Sequence, residues 1–501
     1  MENVDKYSNS SIIKNVFAAS GMLSFVLILG RISGLFREIK IASTYGLSDK
    51  ADAAIILISI PDLLVNLLVA GGLSAVLVPT FRSLAPEAAA QLHRRALTVS
   101  FGAFGFVALI FYLVPDFILY ALAPGFASDF PFPHIAIAFV AFSIPITAFS
   151  GVTSAYLNAN DRFLIAGLGT LVFNVIVITG LMFANDDDGM LILSLAILVA
   201  AAVRWISQLP CVPREAWSIR HERVANDDVF VRPFLIGTIA TSLILVPPVL
   251  VRAAASLLES GNIAAFNYAQ KIVELPTGVL LTAISLVALS KLSGYYNDGL
   301  HELAKKTVIS GIRISLLISC CILCFAYPLM EYIVDLLFDY GKMQERELLK
   351  ISELTRISIL VLPFISITSM LSSMLYSMKR VNAVLYSNII SLILCIFFTI
   401  PGIVYSNSQL LMLSITASQI CLAWFLAKAT DIRIFTDGAI FNRRYSVLLL
   451  GAVALCLPFA FLASSLASVN IFFGFAVAGS CFLVVMAIAV RRLMAAEAGQ
   501  G

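Results

Sequence analysis

Along the chain, apolar runs of about 18 residues or more alternate with short polar or charged links, which is the pattern of helices that cross a bilayer. The runs are continuous rather than alternating, so they predict spanning helices and not barrel strands. They fall near 16–36, 52–78, 96–114, 134–155, 163–184, 190–209, 233–258, 263–290, 307–333, 352–378, 382–404, 409–427, 446–463 and 470–490, about fourteen helices in all. The first run follows a polar stretch containing Lys6 and Lys14, as in a signal peptide. It is long, however, and leads directly into a charged motif, so a retained span is predicted. With 60% hydrophobic and 13% charged residues, the 501-residue chain is too apolar for a soluble globular protein and is predicted to be an all-α polytopic membrane protein.

The basic residues set the orientation. If the N-terminus is cytoplasmic, 22 of the 33 Lys and Arg residues fall in tails, loops and helix ends on that side, Arg204, Arg220 and Arg443 among them. Only Arg37, Lys40, Lys50, Lys342, Arg346 and Lys350 fall in the opposite links, so both termini are expected to be cytoplasmic. Asp186, Asp187 and Asp188 read as a solvated outer turn. The longest cytoplasmic link divides the chain into an N-terminal six-helix part (1–212), the link (213–232), a C-terminal six-helix part (233–430) and two additional helices with a tail (431–501). The halves echo each other: Pro61 precedes a Gly-containing apolar run in the second helix of the first half, and Pro276 precedes Gly278 in the second helix of the second. Repeated halves with interrupted helices suit alternating access.

A charge at the centre of a spanning helix costs roughly 2.5–3.5 kcal/mol on insertion scales, so intramembrane charges mark a polar cavity, a partner or a substrate path. Here Arg31, Arg37, Asp52, Asp62, Arg252, Lys271 and Glu274 come from the first two helices of each half and the link joining the first pair. Lys271 and Glu274 stand at i and i+3, close enough to pair. One reading is that these charges neutralise one another and tie helices together. The other is that Arg31, Arg37, Arg252 and Lys271 exceed the convenient acids and so call for an anionic ligand. Arginine suits phosphate because its planar fork donates two parallel hydrogen bonds and keeps its charge. Gly30 and Gly34 form a small-xxx-small pair beside Arg31, readable as helix packing or as a bend that aims the arginines inward.

Other classes find little support. The net charge of +3 is too mild to argue for a nucleic-acid partner. Cys320, Cys321 and Cys324 sit in a spanning run with no histidine nearby and read as apolar packing rather than a metal site. A membrane enzyme acting on lipid-linked glycans would need an outer domain or long loop, and the longest outer links, near 115–133 and 334–351, are short. His134 borders one of them as a lone histidine at a helix start. No metal cluster, nucleophile triad or phosphate-binding glycine loop is legible, so neither an enzymatic activity nor a cofactor is expected.

The run Gly30-Arg31-Ile32-Ser33-Gly34-Leu35-Phe36-Arg37-Glu38, with Tyr45-Gly46, Ala51-Asp52-Ala53, Ile60-Pro61-Asp62-Leu63-Leu64, Gly72-Leu73-Ser74-Ala75 and Val78-Pro79-Thr80-Phe81, resembles the N-terminal signature of the MviN/MurJ lipid II flippases. Asn267-Tyr268-Ala269-Gln270-Lys271-Ile272-Val273-Glu274-Leu275-Pro276-Thr277-Gly278-Val279 is similar to that family's eighth helix, and Leu337-Phe338 with Tyr340-Gly341-Lys342 to one of its loops. The resemblance implies the multidrug/oligosaccharidyl-lipid/polysaccharide exporter fold, two six-helix lobes in a V plus two C-terminal helices forming a lipid-facing groove. It also implies a bacterial inner-membrane flippase that moves undecaprenyl-pyrophosphate-linked peptidoglycan precursor to the outer leaflet. Arg31, Arg37 and Asp52 then occupy cavity positions linked to function, and Lys271 a position usually held by arginine.

The departures concern charge. Val65 and Asn66 stand where the family usually has a basic pair, Ala70 where it commonly has an acid, Asp62 where it has Asn, and Gln270 where it has Asp. Fewer basic groups favour, as an alternative cargo, a lipid-linked exopolysaccharide or O-antigen unit. A third reading, an ion-coupled drug antiporter of the same fold using Asp52, Asp62 or Glu274, is disfavoured by the basic surplus. The leading expectation is capture of a polyprenyl-pyrophosphate-linked saccharide head by Arg31, Arg37, Arg252 and Lys271, with Asp52 beside them, Asp62 and Glu274 as coupling or structural acids, and the polyprenyl tail left in membrane lipid.

Overall fold

A computed structural model describes residues 28–65, 77–78, 80–82, 84–126, 134–185, 188–213, 243, 246–278, 288, 292, 294–296, 298–378, 380–430 and 440–498. Every regular element among them is helical. In chain order they are α1 (28–45), α2 (Asp49–Val65), α3 (Pro86–Leu113), α4 (Pro115–Leu122), α5 (His134–Ala159), α6 (Phe163–Met182), α7 (Gly189–Gln208), α8 (Val246–Ala255), α9 (Asn262–Pro276), α10 (His301–Ala326), α11 (Met330–Phe338), α12 (Glu345–Ser358), α13 (Leu362–Ser377), α14 (Val381–Val404), α15 (Ser408–Ala429), α16 (Arg443–Ala467) and α17 (Ile471–Ala498). Ten helical segments of the described residues are long and apolar enough to cross a membrane. The remaining four predicted spans correspond to α1, α2, α8 and α9, the helices that carry the charges, and parts of these spans lie outside the described residues.

Local chemistry sets the helix ends. Pro86 and Pro115 occupy first turns, where a missing N–H costs no helical bond. The side chains of Asn407 and Asn442 accept from the backbone N–H of Leu410 (3.0 Å) and Tyr445 (2.8 Å), capping α15 and α16. Gln344 and Glu347 form a reciprocal capping box at the start of α12. The turn before α9 needs a glycine: Gly261 has φ of +81°, and a Cβ there would lie 2.8 Å from the Leu47 carbonyl group. Several boundaries differ from the sequence reading. Helix α1 runs on to residue 45, past the expected end at 36, so Arg37 and Lys40 lie on a helix and not in an outer link. The predicted outer link after 114 contains the short helix α4.

The chain divides into two compact units, one ending at Val246 and one beginning at Pro247, with Tyr45–Leu47 belonging to the second. In the first, α5 is central, packing on α2, α3 and α7, while α6 packs on α7 and α2 also touches α7. Its core joins Leu92, Ala96, Val152, Ala155 and Leu157. In the second, α10 packs on α13 and α16, α14 on α15, α9 on α12 and α16 on α17. Cys321 and Cys456 are buried in an apolar core with Leu317, Phe325 and Ala460. Large apolar side chains such as Phe106, Phe117, Phe397, Leu450 and Phe472 are exposed, as expected for a chain whose solvent is lipid.

Candidate functional site

In the first unit Glu38 and Asp62 of the N-terminal motif meet Arg37. Its guanidinium is 2% exposed and forms a two-pronged pair with Asp62, Nη1 to Oδ1 at 3.1 Å and Nη2 to Oδ2 at 2.6 Å. Nη2 also donates to Glu38 at 2.7 Å, and Nη1 to Oδ1 of Asn174 on α6 at 3.0 Å. Asn174 in turn donates to Ser33 Oγ (2.9 Å) and the Gly30 carbonyl (3.2 Å). Gly30 and Gly34 face α6: a Cβ at Gly30 would contact Thr170 at 3.4 Å and one at Gly34 the Asn174 amide at 3.6 Å, ordinary van der Waals distances, so the small-xxx-small pair lies on the face of α1 that meets Asn174 without being sterically required there.

Arg37 thus bonds two carboxylates at once. The sequence reading did not weigh Glu38, which is fully buried, as a partner, and Asn174 lies 137 residues away. Six residues separate Arg31 from Arg37, about 120° around the helix, and Arg31 is exposed where Arg37 is not. Asp52 is buried in the first turn of α2. It lies ten residues, about 15 Å along the helix, from Asp62, so it does not join the Arg37 group.

In the second unit Arg252 on α8 donates to Asn267 Oδ1 on α9 at 3.3 Å. Asn267 and Lys271 are one helical turn apart, so the two cations share one side of the α8–α9 pair. Lys271 pairs with Glu274 at 2.9 Å, as the i,i+3 spacing predicts, and both are partly exposed. Helix α9 ends at Pro276 and gives way to a wider π-type turn at 277–278, an irregularity frequent at functional positions. The family-like motifs around Tyr45-Gly46 and Tyr340-Gly341-Lys342 also meet in this unit. A Cβ at Gly46 (φ +64°) would lie 3.2 Å from the Lys342 carbonyl oxygen, and the Leu47 N–H donates to Glu347 at 3.2 Å.

The second unit contains a cavity of about 930 Å³ lined by Glu259, Arg346, Glu347, Lys350 and Glu353 with Leu47 and neighbouring residues. None of the sequence-predicted site residues lines it, and its acids outnumber its bases, so it is a poor place for a pyrophosphate. The side chain of Val65, and Asn66 and Ala70 entirely, lie outside the described residues. Besides Glu38, a further charged residue in the first unit went unread as a site residue: Arg204, counted as a cytoplasmic helix-end charge, is only 1% exposed on α7.

Paired and partnered charges within apolar helices, in both units of an all-helical chain, are the mark of a polar site inside a membrane protein. Residues 41–484 match the family described as "Lipid II flippase MurJ". The chain therefore belongs to the MurJ lipid II flippase family. It is 24% identical over 387 residues to "Probable lipid II flippase MurJ" of Buchnera aphidicola subsp. Acyrthosiphon pisum, covering 74% of this chain and 75% of that one. It is 25% identical over 351 residues to "Lipid II flippase MurJ" of Burkholderia cenocepacia, covering 66% and 67%. In fold it is similar to a solved structure titled "Lipid II flippase MurJ, inward closed conformation", with a TM-score of 0.75 at 19% identity over 94% of this chain and 99% of that one. It is also similar to an inward-facing multidrug resistance MATE transporter of the MOP superfamily, with a TM-score of 0.66 at 13% identity over 83% and 99%.

Proposed function

We propose that this protein moves lipid II from the inner to the outer leaflet of the bacterial cytoplasmic membrane by alternating access, with no catalytic step. The observation that carries this reading is the family match over 41–484, which includes Asp52, Asp62, Arg252, Lys271 and Glu274 and begins just after the Arg31–Arg37 motif. The chemistry is consistent with it. Arg31, Arg37, Arg252 and Lys271 are the cations for the pyrophosphate, Asp52, Asp62 and Glu274 hold or balance them, and the polyprenyl tail needs no polar chamber and stays in membrane lipid. Complementation tests the cargo. In a strain depleted of its own lipid II flippase, this protein should restore growth. Failure at normal membrane level, with recovery only when basic residues are placed at Val65 and Asn66, would instead favour another lipid-linked saccharide.

The proposed orientation, with both termini cytoplasmic, is checked by labelling. On a background lacking reactive native cysteines, a cysteine at Ser406, exposed in the turn between α14 and α15, should react with an impermeant thiol reagent added to intact cells. One at Arg443, exposed at the start of α16, should react only after the membrane is opened. The reverse pattern overturns the orientation.

A further inference from the structure

The cavity of about 930 Å³ in the second unit has no part in holding the pyrophosphate, but it is a built pocket of the size that encloses small ligands. Leu257 and Glu259 reach it from the turn between α8 and α9, and Ser406 from the turn between α14 and α15. Helix α12 adds Arg346, Leu349, Lys350 and Glu353, spaced i, i+3, i+4 and i+7 and so on one helix face. Its frame is fixed by other groups. Glu347 accepts from the Leu47 N–H at 3.2 Å and the Gln344 N–H at 3.0 Å, and the positive-φ turns at Gly46 and Gly261 pack on the Lys342 carbonyl and on Leu47.

Within that frame the charges are unspent. Among the described residues the side chains of Glu259, Arg346 and Lys350 form no ion pair or hydrogen bond. Glu353 stands three residues from Lys350 yet accepts instead from Gln409, at 2.9 Å. The pocket opens on the side of Ser406, the outer side in the proposed orientation, where basic residues run against the charge bias of membrane proteins. Two of the six basic residues expected on that side nevertheless stand one helical turn apart on this one wall.

These groups describe a ligand. Arg346 and Lys350 suit carboxylates, Glu259 suits an amine, and the half-exposed Leu257 and Leu349 suit small apolar side chains. No aromatic ring is found among the described residues of the lining, so a saccharide has no flat apolar surface to pack on, and three acids repel a pyrophosphate. We infer that this pocket binds a short anionic peptide through its carboxylates, and that the peptide is the one borne by the peptidoglycan precursor, held on the outer side of the membrane. The choice of that peptide rests on the flippase reading above. It adds a second contact with the cargo, distinct from the cations proposed for the pyrophosphate.

The probe is the free lysine-containing pentapeptide of a peptidoglycan precursor, without saccharide, phosphate or lipid, titrated calorimetrically into the full-length protein in detergent micelles. The unsubstituted protein should bind it saturably, and more weakly as salt is raised. Arg346→Gln combined with Lys350→Gln should weaken binding about tenfold or more, because two charge-assisted contacts are lost. Glu259→Gln should weaken it about threefold, an effect that disappears when the peptide's lysine is acetylated. Arg346 and Glu259 are exposed and Lys350 partly so, and the melting temperature of each variant should stay near that of the unsubstituted protein. A peptide amidated at its carboxylates gives a test that needs no variant to fold: it should bind the unsubstituted protein at least about tenfold more weakly. No saturable binding, equal binding of the amidated peptide, or affinity unmoved by the double substitution overturns the inference. Lipid II transport by the unsubstituted protein in liposomes is measured alongside. Transport without peptide binding strikes the pocket alone, and peptide binding without transport strikes the flippase reading and leaves the peptide site standing.

Discussion

Arg37→Ala is expected to deplete the protein from the membrane, and not merely to silence it. The substitution removes the guanidinium that bonds both Asp62 and the fully buried Glu38. Removing one partner of a buried pair costs about 3–5 kcal/mol. Set against a total stability of about 5–15 kcal/mol, that is enough to lower abundance several-fold. The same loss detaches Asn174 from its acceptor role and loosens α1 from α6. Quantitative immunoblotting of membranes and thermal melting of the purified protein read the effect. Adding Glu38→Gln and Asp62→Asn to Arg37→Ala should recover much of the level, because the stranded charges are gone. A near-normal amount of Arg37→Ala protein would contradict the structural role assigned to this network.

Arg31→Ala should have the opposite signature, a normal protein level and little transport. Arg31 is exposed on the same helix, about 120° from Arg37, so its removal should change stability by about 0.5 kcal/mol or less. If it holds a phosphate oxygen through a charge-assisted hydrogen bond of roughly 1.5–3 kcal/mol, its loss should slow lipid II translocation by about 10- to 100-fold. Arg31→Lys should recover only part of the rate, since a single ammonium cannot make the two-pronged contact. Translocation at the unsubstituted rate by Arg31→Ala would remove Arg31 from the proposed site.

The helical architecture was legible because lipid forces it. Long apolar runs have no alternative to a hydrogen-bonded helix or closed barrel, and continuous hydrophobicity selects the helix. The Lys271–Glu274 pair was equally legible, since it depends only on local spacing. What the pattern obscured was the pairing of charges across helices. A charge reads as a break in an apolar run, so Arg37 was expected to lie in a link. In the fold it pairs with Glu38 and Asp62 and α1 continues past it. Asn174 gave no signal, being a single amide in an apolar helix far along the chain. Arg204 was read by its position near a helix end, where basic residues usually face the cytoplasm. Its burial follows from α5, α6 and α7 packing around it, which no local spacing reveals.

The central claim is that this protein itself carries lipid II across a bilayer, and the most direct measurement is made with the purified protein alone. Liposomes containing lipid II are prepared with the unsubstituted protein, with Arg31→Ala or with no protein, and the fraction of lipid II accessible to an impermeant enzyme or label outside is followed over time. The account predicts that the unsubstituted protein makes the inner-leaflet pool accessible far faster than protein-free liposomes do, with Arg31→Ala close to the protein-free rate. An inner pool that stays as protected with the folded, unsubstituted protein as without it would contradict the account.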